Sequence, residues 1–62
     1  MDPSRLIGLE GVMTSDVKAG GIGTANIASE DWTVTSSVDL AKGARIKVKE
    51  VEGLKLRVER KD

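Results

Sequence analysis

The 62-residue chain contains no histidine and no cysteine. Imidazole bases, thiolate nucleophiles, His or Cys metal sites and disulfides are therefore excluded. What remains for covalent chemistry is the set of hydroxyls between Thr14 and Ser37 and the carboxylates Asp16, Glu30 and Asp31. A hydroxyl is a weak nucleophile without an adjacent base. The three carboxylates stand in polar, turn-forming stretches, where they serve capping and solvation. No catalytic, cofactor-binding or metal-ligating residue is expected, and the chain reads as non-enzymatic.

Three further features invite a binding role. Gly20-Gly21-Ile22-Gly23 has the glycine density of a phosphate loop, but it lacks the lysine and the following helix that such loops need. A tight turn followed by a bulge or a close backbone approach is the simpler reading. Trp32 is the only aromatic residue. Binders of single-stranded nucleic acid set several aromatics beside a positive groove. With ten basic residues against ten acidic ones, an OB-fold binding single-stranded nucleic acid is the alternative rather than the leading reading, and Trp32 is expected to plug a core. The third feature is a set of cations near the C-terminus, Arg45, Lys47, Lys49, Lys55 and Arg57, expected on one face of a hairpin. That face is either a solvated, edge-protecting surface with Glu50, Glu52 and Glu59 nearby, or an electrostatic patch for an acidic partner segment or anionic lipid headgroups.

The hairpin that must present those cations is written in residues 44–60. Ile46 and Val48 alternate with Arg45, Lys47 and Lys49, and Leu54, Leu56 and Val58 alternate with Lys55, Arg57 and Glu59. Strict alternation predicts strands with one buried and one wet face. Parity then constrains the turn. A two-residue turn at Glu52-Gly53 would set Val48 opposite Arg57 and point the apolar sets to opposite faces. A three-residue loop, Val51 to Gly53, sets Val48 opposite Leu56 and Ile46 opposite Val58, with Gly53 in the left-handed position. The predicted core of the hairpin is Ile46, Val48, Leu54, Leu56 and Val58.

The rest of the chain supplies the remainder of a small sheet. Met1 to Arg5 is polar and expected to fray, and Leu6 to Leu9 forms a short strand or packs across the bottom of the core. Gly11 to Val17 is a first strand with weak alternation, ended by a turn at Lys18 to Gly21. Ile22 to Ala28 follows, with the small residues Gly23 and Ala25 sharing a face with Ile27. A polar turn at Ser29 to Asp31 leads to a strand over Trp32 to Ser36. A loop of about four residues sets Trp32 and Val34 opposite Ile27 and Ala25. In the connection from Ser37 to Gly43, Val38 and Leu40 are expected to reach the core; a short capped helical turn is the alternative.

About five short strands without any sustained helical period predict an all-β fold, a small five-stranded barrel or sandwich. A chain this short buries only about 60% of its unfolded surface. Closure into a barrel removes the exposed edges that an open sheet would leave. No stretch approaches the roughly 20 apolar residues of a membrane helix. The expected organisation is a lead-in over 1–7, a barrel over 8–60 and a tail at 61–62.

Several of these residues fall in a familiar order: Gly11, Thr14, Asp16-Val17-Lys18, Gly20-Gly21, Ile27, Glu30-Asp31-Trp32, Ser36, Leu40-Ala41-Lys42-Gly43 and the run from Val48 to Val58. From Gly8 to Arg60 the chain resembles the C-terminal soluble domain of NfeD-like proteins, the closing V-x-G-L-x-L-x-V phrase and the preceding Lys-Gly being most telling. Ala19 stands where a proline is frequent and Ser29 where a turn glycine is frequent, which bears on turn stiffness more than on the fold. The resemblance implies an OB-fold-like β-barrel that mediates protein interaction. It further implies a stomatin- or flotillin-like membrane scaffold as partner, a position on the cytoplasmic side, and membrane association through helices absent from this chain. Longer members carry a separate serine protease domain, and nothing in this chain matches it.

Overall fold

A computed structural model describes residues 3–62. A single 3₁₀ turn, Pro3–Leu6, precedes five strands: β1 (Glu10–Met13), β2 (Ile22–Ile27), β3 (Glu30–Thr35), β4 (Arg45–Glu52) and β5 (Lys55–Arg60). They close in the order β1-β2-β3-β5-β4. Every neighbouring pair is antiparallel except β3 with β5, which is parallel. The expected all-β, five-stranded OB-fold-like β-barrel is the fold.

Period-two burial builds the interior. Along β2 the buried positions are Gly23, Ala25 and Ile27, alternating with exposed Ile22, Thr24 and Asn26. Ile46 and Val48 of β4, Leu56 and Val58 of β5, Met13 of β1 and Val34 of β3 complete the wall of the core. Small residues on β2 let the chain coil tightly. A Cβ added at Gly23 would lie 3.0 Å from Cβ of Val17 and 3.2 Å from the carbonyl oxygen of Asp16, so this glycine marks a close approach of the β1–β2 connection. Leu6 seals the barrel from below and is fully buried. The segment after it is tied to β4, with the Gly8 N–H donating to Val48 O and the Val48 N–H donating to Leu9 O, both at 2.9 Å. Pro3 to Arg5, expected to fray, instead form the 3₁₀ turn with Leu6, and Arg5 reaches Glu30 at 3.2 Å. Met1 and Asp2 lie outside the described residues.

The first strand is shorter than expected, ending at Met13 rather than Val17. Beyond it Ser15 turns inward and its Oγ accepts the Thr24 N–H at 3.0 Å. Val17 then pairs with Leu40 in an isolated antiparallel bridge. That bridge is the centre of a clasp between the two long connections, residues 14–21 and 36–44. Asp16 Oδ1 accepts the Lys42 N–H at 2.7 Å, and Asp39 Oδ1 accepts the Ala19 N–H at 2.8 Å. Each carboxylate thus satisfies a donor in the opposite loop, and Asp16 is a turn residue as expected. Leu40 is buried by the clasp, whereas Val38, expected inside, is 45% exposed. Ser36 Oγ accepts the Val38 N–H and donates to Val38 O, which holds residue 38 in a surface turn.

Both hairpins differ in register from the expectation, for separate reasons. The β2–β3 turn is Ala28-Ser29, with φ of 54° and 66°, and Glu30 opposes Ile27. Glu30 and Asp31 therefore belong to β3 rather than to a turn. Trp32 opposes Ala25 and Val34 opposes Gly23, one pair removed from the predicted register. The β4–β5 turn is Gly53-Leu54, with Glu52 opposite Lys55 and Val51 opposite Leu56. A bulge between Val48 and Glu50 then sets Val48 opposite Val58 rather than Leu56, and Ile46 opposite Arg60 rather than Val58. The extra residue that parity demands sits in the strand, at Lys49, and not in the loop. Leu54, expected in the core, is consequently at the hairpin tip, 92% exposed.

Candidate partner-binding surface

The five cations picked out in the sequence come from the two strands of one ribbon. Arg45 and Lys47 are the exposed positions that alternate with buried Ile46 and Val48. Lys49 occupies the bulge and is exposed. Lys55 and Arg57 alternate with buried Leu56 and Val58 and are themselves half-buried. Alternation and the bulge thus place all five on the outer surface of the β4–β5 ribbon.

Strand pairing interleaves that surface with acids. Lys47 lies opposite Glu59, Arg57 opposite Glu50, and Lys55 opposite Glu52. Cross-strand pairs of opposite sign favour the ladder modestly, by roughly 0.2–1 kcal/mol each. Arg57 also forms ion pairs with both Glu50 and Glu52. At the far end of the ribbon Glu10 forms ion pairs with Arg45 at 3.7 Å and Lys61 at 3.5 Å. Among the described residues, Lys47, Lys49 and Lys55 make no ion pair within 4.0 Å. The surface is therefore a ladder of alternating sign with three free ammonium groups, not a continuous positive field. Glu50, Glu52 and Glu59 were visible in the sequence, but only the register shows that they stand directly across from the cations.

The other sequence features settle into structural places. Residues 20–23 lead into strand β2 and not into a helix, so no helix terminus is available to hold a phosphate. Trp32 is half-buried and packs against the core. Its Nε1 is buried and has no hydrogen-bond partner among the described residues, which is uncommon for an indole N–H. The solvent face of β2 and β3 carries Thr24, Asn26, Asp31 and Thr33, with no aromatic platform on which a base could stack. No group of three or more potential metal ligands occurs among the described residues. A shallow concavity lies at the clasp, bordered by Asp16, Lys18, Asp39 and Arg60; both of its carboxylates are already engaged by backbone donors. Among the described residues, no helix is long and apolar enough to cross a membrane.

Solved structures share this arrangement. The C-terminal domain of stomatin operon partner protein 1510-C from Pyrococcus horikoshii is 27% identical, with a TM-score of 0.85 over 94% of this chain and 91% of that one. The soluble domain of a membrane protein implicated in regulation of membrane protease activity from Corynebacterium glutamicum has a TM-score of 0.87 at 22% identity, over 98% of this chain and 100% of that one. The soluble domain of the NfeD protein YuaF from Bacillus subtilis has a TM-score of 0.84 at 19% identity, over 92% and 75%. The latter two show the fold alone. No curated protein sequence matches the chain. The family model for the NfeD-like C-terminal, partner-binding domain matches residues 3–60. With that match spanning all five strands, the chain belongs to the NfeD-like C-terminal, partner-binding domain family.

Proposed function

We propose that this chain is a non-enzymatic docking domain that binds a stomatin- or flotillin-like membrane scaffold protein through the outer face of the β4–β5 ribbon, with Arg45, Lys47, Lys49, Lys55 and Arg57 as its cationic contacts. The observation that carries the reading is membership, over residues 3–60, in a partner-binding domain family. The P. horikoshii neighbour, described as a stomatin operon partner protein, supports the choice of partner. The absence of histidine and cysteine from the sequence agrees with a role in binding rather than catalysis. In this reading the full-length protein is held at a membrane by a segment outside this chain, and the domain faces the cytoplasm.

The free ammonium groups of Lys47, Lys49 and Lys55 are the ones available to a partner carboxylate. Arg57 is occupied by Glu50 and Glu52. Replacing the three lysines by glutamate is expected to weaken binding to the source organism's stomatin-like protein at least tenfold, measured by titration calorimetry. The variant should stay folded but melt at a lower temperature, because Lys47→Glu and Lys55→Glu set like charges opposite Glu59 and Glu52, so binding is compared well below its melting transition. Unchanged affinity would remove this face from the interface.

A further inference from the structure

The tip of the β4–β5 ribbon carries the most exposed large apolar side chain among the described residues. Leu54 is 92% exposed, and the next, Ile22, is 63% exposed. The fold has no need of leucine there. A two-residue turn of this kind asks for Gly53 at positive φ, here 65°, and its second position is commonly Asn, Asp or Ser. The core is complete without it, since Ile46, Val48, Leu56 and Val58 are buried and Val51 packs beside them. Leu54 is thus a full-sized apolar group held at the end of a hydrogen-bonded ribbon, with little of its surface covered.

The surface behind the tip indicates what covers it. Lys47, Arg57 and Lys55 face Glu59, Glu50 and Glu52, so the surface carries both signs, with a cationic excess from Arg45 and Lys49. A lipid headgroup layer or a nucleic-acid backbone calls for a surface of one sign. A protein interface combines an apolar centre with a rim of mixed charge, and a few buried anchors carry most of its affinity. We propose that Leu54 is the anchor of the partner interface, inserting into an apolar pocket of a protein whose rim presents both acidic and basic groups to Lys55 and Glu52. The assignment rests on the protein-interaction reading above and adds to it the residue on which affinity depends.

A chain of 62 residues is short enough for chemical synthesis, so photo-leucine can be placed at position 54. In a second sample it replaces Val38, which is 45% exposed at the opposite end of the barrel. Each is irradiated with membranes of the source organism, and adducts are identified by mass spectrometry. Unlabelled wild-type chain and Leu54→Ser serve as competitors. The expected result is one protein captured from position 54 and not from position 38, displaced by wild type and at least tenfold less effectively by Leu54→Ser. That factor is what losing a buried leucine at an interface amounts to. The identity of the captured protein is a separate readout. A protein unrelated to stomatins would correct the proposed partner and leave Leu54 as its anchor. Equal competition by Leu54→Ser, equal capture from both positions, adducts to lipid alone, or no adduct at position 54 would each overturn the anchor assignment.

Discussion

The two hairpins of this barrel solve the same geometric problem in different ways. Each is closed by a two-residue turn, which pairs an odd-numbered position with an even-numbered one. In β2–β3 that suits the core: Gly23, Ala25 and Ile27 face inward on one strand and oppose Val34, Trp32 and Glu30 on the other. The ladder runs from Ile27–Glu30 to Ile22–Thr35 without interruption. In β4–β5 the inward residues Ile46, Val48, Leu56 and Val58 are all even-numbered, so a two-residue turn alone would send one strand's apolar set outward. The bulge at Lys49 corrects the parity. It moves the inward phase of β4 from Val48 to Val51 and leaves Leu54 outside. A bulge also bends and twists its strand, and β4, the longest strand at eight residues, must curve to pair with β1 on one side and β5 on the other. The hairpin with the simple register carries its strain in the turn, and the hairpin with the relaxed turn carries its irregularity in the strand.

The sharpest way to break this comparison is to truncate one of the two leucines that the sequence puts in the same phase. Leu56 is fully buried, so Leu56→Ala is expected to cost about 2–5 kcal/mol. In a domain this small that is a large part of the total stability. Urea denaturation followed by Trp32 fluorescence would measure it. A loss below about 1 kcal/mol would mean that the ribbon does not hold the register described.

The bulge can be tested by deleting Lys49. Removal leaves every other pair of the ribbon in place and preserves the inward phase, but it straightens β4. The expected cost is about 1–3 kcal/mol, within the ordinary range for single lesions, and cross-strand contacts between Val48 and Val58 should persist in the NMR spectrum. A deletion variant as stable as the parent would show that closure does not depend on the bend.

The other hairpin offers the opposite sign. Ala28 and Ser29 adopt positive φ, a region that costs side chains other than Gly, Asn and Asp roughly 1 kcal/mol or more per residue. A turn with both central residues left-handed prefers Asn-Gly. The double substitution Ala28→Asn, Ser29→Gly should therefore raise stability by about 1 kcal/mol, read as a higher urea midpoint at unchanged slope. No gain would indicate that the rest of the barrel imposes no strain on this turn.

How far the fold could be read beforehand follows from the same physics. Alternation identified the faces of β2, β4 and β5, because period-two burial needs only the residues of one strand. The inward side of Gly23, Ala25 and Ile27 and the outward side of the five cations were legible for that reason. The registers were not. The β2–β3 turn, Ala28-Ser29, contains no glycine, so the polar run from Ser29 carried the predicted turn into Glu30 and Asp31, which are strand residues. In β4–β5 the parity conflict itself was visible, but sequence does not distinguish an extra residue in the loop from one in the strand. Val51 is the residue that decides between them: the loop would leave it at the turn, and the bulge packs it beside Leu56. The candidate surface was half legible for the same reason. Arg45, Lys47, Lys55 and Arg57 alternate along their own strands, while the acids that stand opposite three of them are assigned by pairing across strands.

The smallest expected effect is the one that separates folding from function at the ribbon tip. Leu54→Ser removes a side chain that is 92% exposed, so the folded state loses almost no packing. Substitutions of this kind usually fall within about 0.5 kcal/mol of the parent. Its expected denaturation curve overlays that of the wild-type chain, in contrast to the collapse expected for Leu56→Ala two residues away. Alternation alone assigns the two leucines equal weight, whereas the bulged register gives all of the folding role to Leu56. If Leu54→Ser instead lost more than about 1 kcal/mol, the tip would be packed in solution, the parity correction would lie in the loop, and Leu54 would no longer be free to meet a partner.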